Sequence, residues 1–221
     1  MQNLSVNSLL DLNYTIANDL FLEHAYPWTV LTLIREFILK IGSKLDTSVY
    51  ERFDNDIWAA KNAVIAKSAS LSGPLIIDEH AEIRHCAFIR GSVIVGKGAV
   101  VGNSTELKNS ILFDEVQVPH YNYIGDSILG YKVHTGAGTI TSNLKSDRSM
   151  VSVLYNGEKI ETGMKKFGAV LGNYVEVGCN SVLNPGTIVG KNTIIYPLSL
   201  VRGYVPEKSI YKKQSEIVLK K

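Results

Sequence analysis

Two cations 18 positions apart are the first residues of this sequence that could do chemistry. Arg90 and Lys108 follow the aliphatic residues Ile89 and Leu107. If residues 18 apart stack on one corner of successive coils, the cations lie about 4.8 Å apart, the spacing of paired strands. Such cations repel unless an anion lies between them, so the pair is a candidate phosphate or sugar-phosphate clamp. The alternative is a solvated pair screened by acids such as Glu106.

His120 is the candidate general base. It lies in Pro119-His-Tyr-Asn-Tyr-Ile-Gly-Asp126, where we expect the repeat described below to slip by one residue. An imidazole released from a regular repeat can face solvent and titrate near neutrality, and Tyr121 and Tyr123 could stack on a sugar ring. The alternative is a structural histidine.

A second hypothesis for the histidines is a metal site. The five-residue step from His80 to His85 is similar to the paired metal ligands of β-helical, γ-class carbonic anhydrases. A third histidine would have to come from a neighbouring subunit, and the candidates are His24, His120 and His134. The alternative is solvated histidines at corners, and we expect no metal.

A period of six residues organises the chain around these side chains. An aliphatic or aromatic residue recurs at every sixth position from Ile65 to Phe113, and again from Leu171 to Val201. A helix would instead show apolar spacings of three and four. Each hexapeptide would make one short strand and one corner, so the repeat predicts a mainly β solenoid over residues 61–205, followed by a C-terminal tail at 206–221.

The segment before the repeat, residues 1–60, has helical periodicity. Residues 17–24 and 27–41 are the predicted helices, with Val30, Ile34, Phe37, Ile38 and Ile41 on one apolar stripe. We expect a helical cap over the end of the solenoid, where bare strand edges would otherwise be exposed. A membrane-surface helix is the alternative, although its polar face is not rich in lysine.

A long insertion interrupts the repeat at residues 144–165. Asn156-Gly157 between two alternating runs predicts a β-hairpin with a type I′ turn that projects from the solenoid. It is either a tolerated surface excursion or an arm that reaches a neighbouring subunit or a site.

The composition of the chain argues against some classes of binding partner. The 221 residues carry 23 Lys and Arg against 21 Asp and Glu, a formal charge of +2, which gives no basic field for nucleic acid or membrane. Cys86 and Cys179 cannot build a disulfide framework or a four-ligand zinc site, and no signal peptide is evident, so we expect a cytoplasmic protein with reduced thiols. Phosphate-loop, dinucleotide-binding and α/β-hydrolase motifs do not occur.

From Phe88 onward the sequence resembles the C-terminal acetyltransferase domain of bifunctional N-acetylglucosamine-1-phosphate uridyltransferases and related sugar-1-phosphate nucleotidyltransferases, which are related to UDP-N-acetylglucosamine pyrophosphorylases. The matching stretches are Ile89-Arg-Gly91, Val101-Gly-Asn-Ser-Thr-Glu-Leu-Lys108, His120-Tyr-Asn-Tyr-Ile-Gly-Asp126 and Gly136-Ala-Gly-Thr-Ile-Thr-Ser-Asn143. The resemblance implies a hexapeptide-repeat acyltransferase with a left-handed parallel β-helix, in which three hexapeptides close one triangular coil.

The resemblance also implies a role for each matching residue. His120 would be the catalytic base that deprotonates a sugar amine as it attacks acetyl-CoA. Sugar and phosphate contacts would come from Arg90, Glu106, Lys108, Tyr123, Asn143 and Lys166. The pantetheine arm of acetyl-CoA would pass Ala137 and Cys179, and the sites would form between the subunits of a homotrimer.

Three departures qualify the resemblance. His134 stands where the bacterial enzymes have an asparagine, and Leu144 where they have a tyrosine, so the sugar is open. The residues before 61 are too few for a nucleotidyltransferase domain. We therefore expect an acetyl-CoA-dependent N-acetyltransferase acting on a glucosamine-1-phosphate-like amino sugar phosphate, without that domain; the alternative is a non-catalytic β-helical oligomerisation or sugar-phosphate-binding module.

Overall fold

The computed structural model describes residues 2–53, 56–213 and 216–219. Short helices come first in the chain. The α-helices are α1 (Val6–Leu9), α2 (Asn18–Phe21) and α3 (Ile34–Gly42), and 3-10 turns lie at Gln2–Leu4, Leu12–Tyr14 and Pro27–Thr32. The predicted helix at 27–41 is thus divided into a 3-10 turn and α3, and the predicted helix at 17–24 is shortened to one turn. None of the described helices is long and apolar enough to cross a membrane.

Strands occupy most of the remaining chain. They are β1 (Tyr50–Phe53), β2 (Ile57–Ala60), β3 (Val64–Ile65), β4 (Ser70–Leu71), β5 (Leu75–Ile77), β6 (Glu82–Ile83), β7 (Phe88–Ile89), β8 (Val93–Val95), β9 (Val100–Asn103), β10 (Glu106–Leu112), β11 (Gln117–His120), β12 (Tyr123–Leu129), β13 (His134–Thr135), β14 (Ile140–Thr141), β15 (Val151–Tyr155), β16 (Glu158–Met164), β17 (Ala169–Leu171), β18 (Glu176–Val177), β19 (Val182–Leu183), β20 (Thr187–Val189), β21 (Ile194–Ile195), β22 (Leu200–Val201), β23 (Tyr204–Val205), β24 (Ser209–Lys213) and β25 (Glu216–Leu219).

The strands form the three faces of a left-handed parallel β-helix, as the repeat and the resemblance predict. Face 1 stacks β3, β6, β9, β11, β13, β18, β21 and β24. Face 2 stacks β4, β7, β14, β19 and β22 with the first halves of β10 and β12. Face 3 stacks β2, β5, β8, β17, β20 and β23 with the second halves of β10 and β12. The sixth-position residues fill the interior, and those from Ile83 to Leu107 have no exposed surface.

The repeat shortens at a different place from the one predicted. Ile89 pairs with Leu107, 18 residues later, but Val95 pairs with Leu112, only 17 later. The lost residue is therefore at the corner inside β10, and β12 pairs with β10 at the same offset of 17. β10 and β12 each continue through this corner without a break, so the corner contains one residue fewer than in the other coils. Consequently Leu112, and not Phe113, holds the register position, and His120 pairs regularly with Asn103.

The corner between faces 1 and 2 repeats one backbone conformation. A residue with positive φ recurs there in the six coils from β6 to β22, and most of these residues are not glycine: Cys86, Ser104, Tyr121, Gly138, Asn180 and Leu198. The left-handed conformation is uncommon for residues with a Cβ, so its recurrence shows that the coil geometry imposes it.

The N-terminal helical segment covers face 3 and not the end of the solenoid. The outward residues of face 3 form one paired column of Ile76, Ile94, Ile111, Ile128, Val170 and Ile188, and all six are fully buried. Helix α3 lies against β5, β8 and β10, and the 3-10 turn at Pro27–Thr32 lies against β12. This corrects the predicted placement, because the largest apolar surface to be covered is a side face.

The segment also reaches both ends of the solenoid. The indole of Trp58, in the first coil, packs so closely on Gly42 that a Cβ there would lie 2.5 Å from the ring. Near the other end, the Asn173 backbone N–H donates to Leu9 and the Lys191 ammonium donates to the Asn7 carbonyl. The segment therefore connects coils that do not touch one another.

The insertion forms the predicted hairpin, but it does not project. β15 and β16 pair antiparallel, and Asn156 and Gly157 have φ values of 50° and 83°, as a type I′ turn requires. Val151 and Val153 are fully buried, and β15 packs against β20 and β23. The alternating apolar residues of β15 thus pack the hairpin against the last coils.

The strand pairing extends beyond the predicted limits of the solenoid on both sides. β2 pairs in parallel with β5, so coil pairing begins at Ile57 and not at residue 61. Past residue 205, β24 pairs in parallel with β21, which continues face 1 into the predicted tail. The division of the chain into three domains remains a prediction.

Candidate functional site

Arg90 and Lys108 lie at the end of face 2, one coil apart. The residues before them, Ile89 and Leu107, are paired, and the Arg90 backbone N–H donates to the Leu107 carbonyl. Each cation has a carboxylate partner. Arg90 Nη1 lies 2.7 Å from Glu106 Oε1, and Lys108 Nζ lies 3.1 Å from Asp126 Oδ2. The pair is thus stacked as the spacing predicts, and its charge is balanced by two acids.

Asp126 is the centre of this cluster. Its carboxylate is almost fully buried and accepts hydrogen bonds from Lys108 Nζ, Asn109 Nδ2 and Asn143 Nδ2. It therefore fixes a cation and an amide that come from different coils. The sequence prediction of site residues missed Asp126, although it lies 18 positions after Lys108 and ends the motif that carries His120.

Tyr123 brings a phenol to the same place. It pairs with Glu106 on face 2, and Asn143 Nδ2 donates to its hydroxyl at 3.2 Å. Burial raises the pKa of Tyr123 above the usual 10.0, and the charges of Asp126 and Glu106 act in the same direction. The phenol is therefore protonated at neutral pH and can donate a hydrogen bond.

His120 lies at the end of β11, at the corner between faces 1 and 2. Its side chain is exposed, and its carbonyl accepts a hydrogen bond from the Gly138 N–H of the next coil. Within the described residues, the imidazole has no hydrogen-bond partner. The adjoining Tyr121 is 65% exposed and has a φ of 52°, so both rings face outward at this corner.

Ala137 and Cys179 continue the column above His120. Face 1 pairs with an offset of 17 from β11 to β13 and of 42 from β13 to β18, which places His120, Ala137 and Cys179 one above another. The Asn180 N–H donates to the Ala137 carbonyl, and the Cys179 side chain is exposed. The structure thus gathers the candidate base and both cofactor-binding candidates on one edge.

Lys166 and Leu144 lie at the base of the insertion. The Phe167 N–H donates to the Asn143 carbonyl at 2.9 Å, so the chain leaves and re-enters the solenoid at the same point. Lys166 is therefore adjacent to the cluster through the backbone, and both Lys166 and Leu144 are exposed.

His134 lies apart from the cluster. It is on face 1, in β13, and its Nδ1 lies 2.9 Å from Glu176 Oε2.

The two histidines of the metal-site hypothesis lie at opposite ends of β6, on different corners. His80 contacts Asn62, whereas His85 contacts Ser68 and Cys86. Over residues 2–53, 56–213 and 216–219, no three of His, Cys, Asp and Glu are grouped closely enough to hold a metal ion.

Known proteins share this sequence pattern. The chain is 34% identical over 201 residues to the bifunctional protein GlmU of Methanococcus vannielii, an alignment that covers 88% of this chain and 47% of that protein. It is 32% identical over 184 residues to a bifunctional sugar-1-phosphate nucleotidylyltransferase/acetyltransferase of Sulfurisphaera tokodaii, covering 72% and 46%. The chain therefore spans about half the length of these curated relatives.

A solved structure and a family model complete the comparison. The acetyltransferase domain of PglB from Neisseria gonorrhoeae, solved with acetyl coenzyme A, superposes with a TM-score of 0.42 at 16% identity, covering 84% of this chain and 64% of that one. The model of the GMPPB C-terminal domain family matches residues 71–196, which is more than half of the chain and includes both His120 and the cluster around Asp126. The chain belongs to the GMPPB C-terminal domain family.

Proposed function

We propose that this chain is an acetyl-CoA-dependent N-acetyltransferase that acts on an amino sugar phosphate, with glucosamine 1-phosphate as the reference substrate. One observation carries the proposal. His120 lies at the foot of the Ala137 and Cys179 column, and the face beside it ends in the cluster of Arg90, Lys108 and Asp126. Face 2 thus has a candidate base and an open edge at one end and an anion-binding cluster at the other.

The chemistry follows from this arrangement. The sugar phosphate binds the outer donors of Arg90 and Lys108, and the Tyr123 hydroxyl donates to the sugar. The amine nitrogen attacks the thioester carbonyl carbon of acetyl-CoA while His120 accepts a proton from that nitrogen. The carbon–sulfur bond then breaks, the protonated His120 returns its proton to the sulfur, and coenzyme A leaves as the thiol. Backbone N–H groups of the corner stabilise the oxyanion of the tetrahedral intermediate.

Relatives and composition support other parts of the proposal. The name of the Sulfurisphaera tokodaii relative states both a nucleotidylyltransferase and an acetyltransferase activity, and this chain aligns with half of that protein. A homotrimer with the sites between subunits would supply the second wall that the open edge at His120 requires. A cytoplasmic location fits Cys86 and Cys179, which are both unpaired and exposed thiols.

The test is release of free thiol from acetyl-CoA in the presence of glucosamine 1-phosphate. His120→Ala should lower kcat by about 10²- to 10⁴-fold, the usual contribution of a positioned base. His85→Ala is the matched control, because His85 lies on the same corner two coils earlier and should leave the rate unchanged. Equal rates for wild type and His120→Ala would overturn the role of His120.

A non-catalytic sugar-phosphate-binding module is the second candidate. The observation that favours it concerns His120. A catalytic histidine is often oriented by a hydrogen bond from a partner residue, and no described residue makes such a bond to the His120 imidazole. Titration calorimetry separates the two candidates. A module binds glucosamine 1-phosphate but not acetyl-CoA, whereas the enzyme binds both.

A further inference from the structure

A second concentration of positive charge lies between the hairpin and the last coils. Lys145, Lys159 and Arg202 line a cavity of about 190 Å³ together with Ser152, Asn184 and Pro185, and we call this cavity the basic groove. It continues into a hollow of about 280 Å³ that Lys145 and Arg202 also line. The basic groove contains none of the residues assigned above to the acetyl-transfer site.

The walls of the basic groove are held in place. On the hairpin side, Val151 and Val153 are fully buried. On the solenoid side, Gly186 has a φ of 79°, and a Cβ there would lie 2.6 Å from the Ser152 carbonyl oxygen. The docked hairpin therefore presents Ser152 and Lys159 to the solenoid without further rearrangement, which lowers the entropic cost of binding.

Two of the three cations of the basic groove, Lys159 and Arg202, are not neutralised as Arg90 and Lys108 are. In the part of the chain that the structure describes, Lys159 and Arg202 form no ion pair. Lys145 lies 3.9 Å from Asp147, and its ammonium also donates to Ser149 Oγ at 2.6 Å. Glu161 is opposite Ser152 in the hairpin but does not line the cavity. The basic groove thus carries an excess of positive charge over nearby acid.

We propose that the basic groove binds the phosphate group of a phosphate ester. A guanidinium offers a planar pair of donors to phosphate oxygens, ammonium groups add charge, and the Ser152 hydroxyl can donate a further hydrogen bond. The adjoining hollow is lined by Ser142 and Leu144, the residues on either side of Asn143. A phosphate in the basic groove is therefore close to Asn143. It belongs either to the far end of a substrate or to a separate ligand.

Inorganic pyrophosphate is the probe, and titration calorimetry on the full chain is the measurement. Wild type should bind it saturably, and Lys159→Gln/Arg202→Gln should weaken binding about tenfold or more, since each charged hydrogen bond is worth about a factor of ten. Arg35→Gln/Lys67→Gln removes the same charge from exposed positions outside the groove and should bind as wild type does. No saturable binding by wild type, or equal loss in both double variants, would overturn the proposal.

A second arm identifies the source of the phosphate. If it belongs to the substrate, Lys159→Gln/Arg202→Gln raises KM for a nucleotide-linked amino sugar but not for glucosamine 1-phosphate. If it belongs to a separate ligand, KM is unchanged for both while pyrophosphate binding is still lost. The calorimetric arm needs no acetyl transfer, so the groove and the proposed function can fail independently. Pyrophosphate affinity equal to wild type in the groove variant overturns the groove under either source.

Discussion

Arg90 and Lys108 occupy one corner in different environments. The Arg90 side chain is 46% exposed and Lys108 only 26%, and the Lys108 partner Asp126 is almost fully buried. Glu106 occupies only one of the guanidinium nitrogens, so Arg90 keeps donors that face solvent. We infer that Arg90 is the residue that first meets the phosphate, and that Lys108 is held ready by Asp126.

Replacing Arg90 tests this division. Arg90→Gln should raise KM for glucosamine 1-phosphate about tenfold, because one charge-assisted hydrogen bond to phosphate is lost. KM for acetyl-CoA should not change. Arg84→Gln is the control, since Arg84 forms a similarly exposed ion pair with Glu82 on face 1. Initial rates with each substrate varied give the result, and an equal KM in all three proteins would contradict it.

Asp114 offers a pH-dependent test that does not involve catalysis. Burial raises the pKa of Asp114 above 3.8, although its Oδ1 accepts the Lys97 backbone N–H at 2.9 Å. The folded state therefore holds the proton to higher pH than the unfolded state does. The free energy of unfolding consequently falls as pH rises from 3.8 through the folded pKa.

Asp114→Asn should remove this loss, because the amide keeps the acceptor and carries no charge. The variant should unfold at higher urea concentration than wild type at pH 7, and the difference should shrink as pH falls towards 4. Asp147→Asn is a control of opposite sign, because hydrogen bonds from Ser149 lower the pKa of Asp147. A pH-independent difference for Asp114→Asn would show that burial of its charge is not the cause.

Sequence reasoning found most of the cluster but not its centre. Arg90 and Lys108 could be paired from a spacing of 18 residues alone. Asp126 reaches Lys108 from the shortened corner, where β10 and β12 run on without a break. The 18-residue spacing from Lys108 to Asp126 was a signal, but Lys108 pairs with Gly125 in this shortened coil, and a period of six cannot show where a corner loses a residue.

At the scale of elements, the docking of the hairpin depends on two glycines of the last coils. Gly186 and Gly203 have positive φ values, and a Cβ on either would come within 3 Å of a β15 carbonyl oxygen, that of Ser152 or Leu154. The hairpin itself was predictable from Asn156-Gly157. Its position was not, because the partners of Val151 and Val153 are more than 30 residues away in sequence.

Gly186→Ala should undock the hairpin. Its cost has two parts: about 1 kcal/mol for a residue with a Cβ at positive φ, and a further 1–3 kcal/mol for overpacking against Ser152. Gly163→Ala is a matched control, since Gly163 has a similar φ of 71° but no atom within 4 Å of the added Cβ. Urea unfolding should show the larger loss in Gly186→Ala, and equal losses would contradict close docking.

At the scale of the whole molecule, the N-terminal segment changes how the solenoid is stabilised. A solenoid without such a segment is held by contacts between neighbouring coils. Here one apolar column on face 3, from Ile76 to Ile188, is covered by a single segment that contacts the first coil at Trp58 and the last coils at Asn173 and Lys191. The six-residue period marks inward positions only, which is why the outward column was not predicted and the helical segment was expected at the end of the solenoid.

The segment should therefore make unfolding cooperative over all coils. Trp28 lies on the segment and Trp58 on β2, so tryptophan fluorescence reports on these regions while circular dichroism reports on all strands. In guanidinium chloride the two signals should give one coincident transition, as a two-state domain does. Ile34→Ala should lower the free energy of unfolding by about 2–5 kcal/mol and so move both midpoints down together, because Ile34 is fully buried against face 3. Leu33→Ala, at a 39% exposed neighbour, should have little effect. If the two signals separate in wild type, the coils unfold one after another and the segment does not couple them.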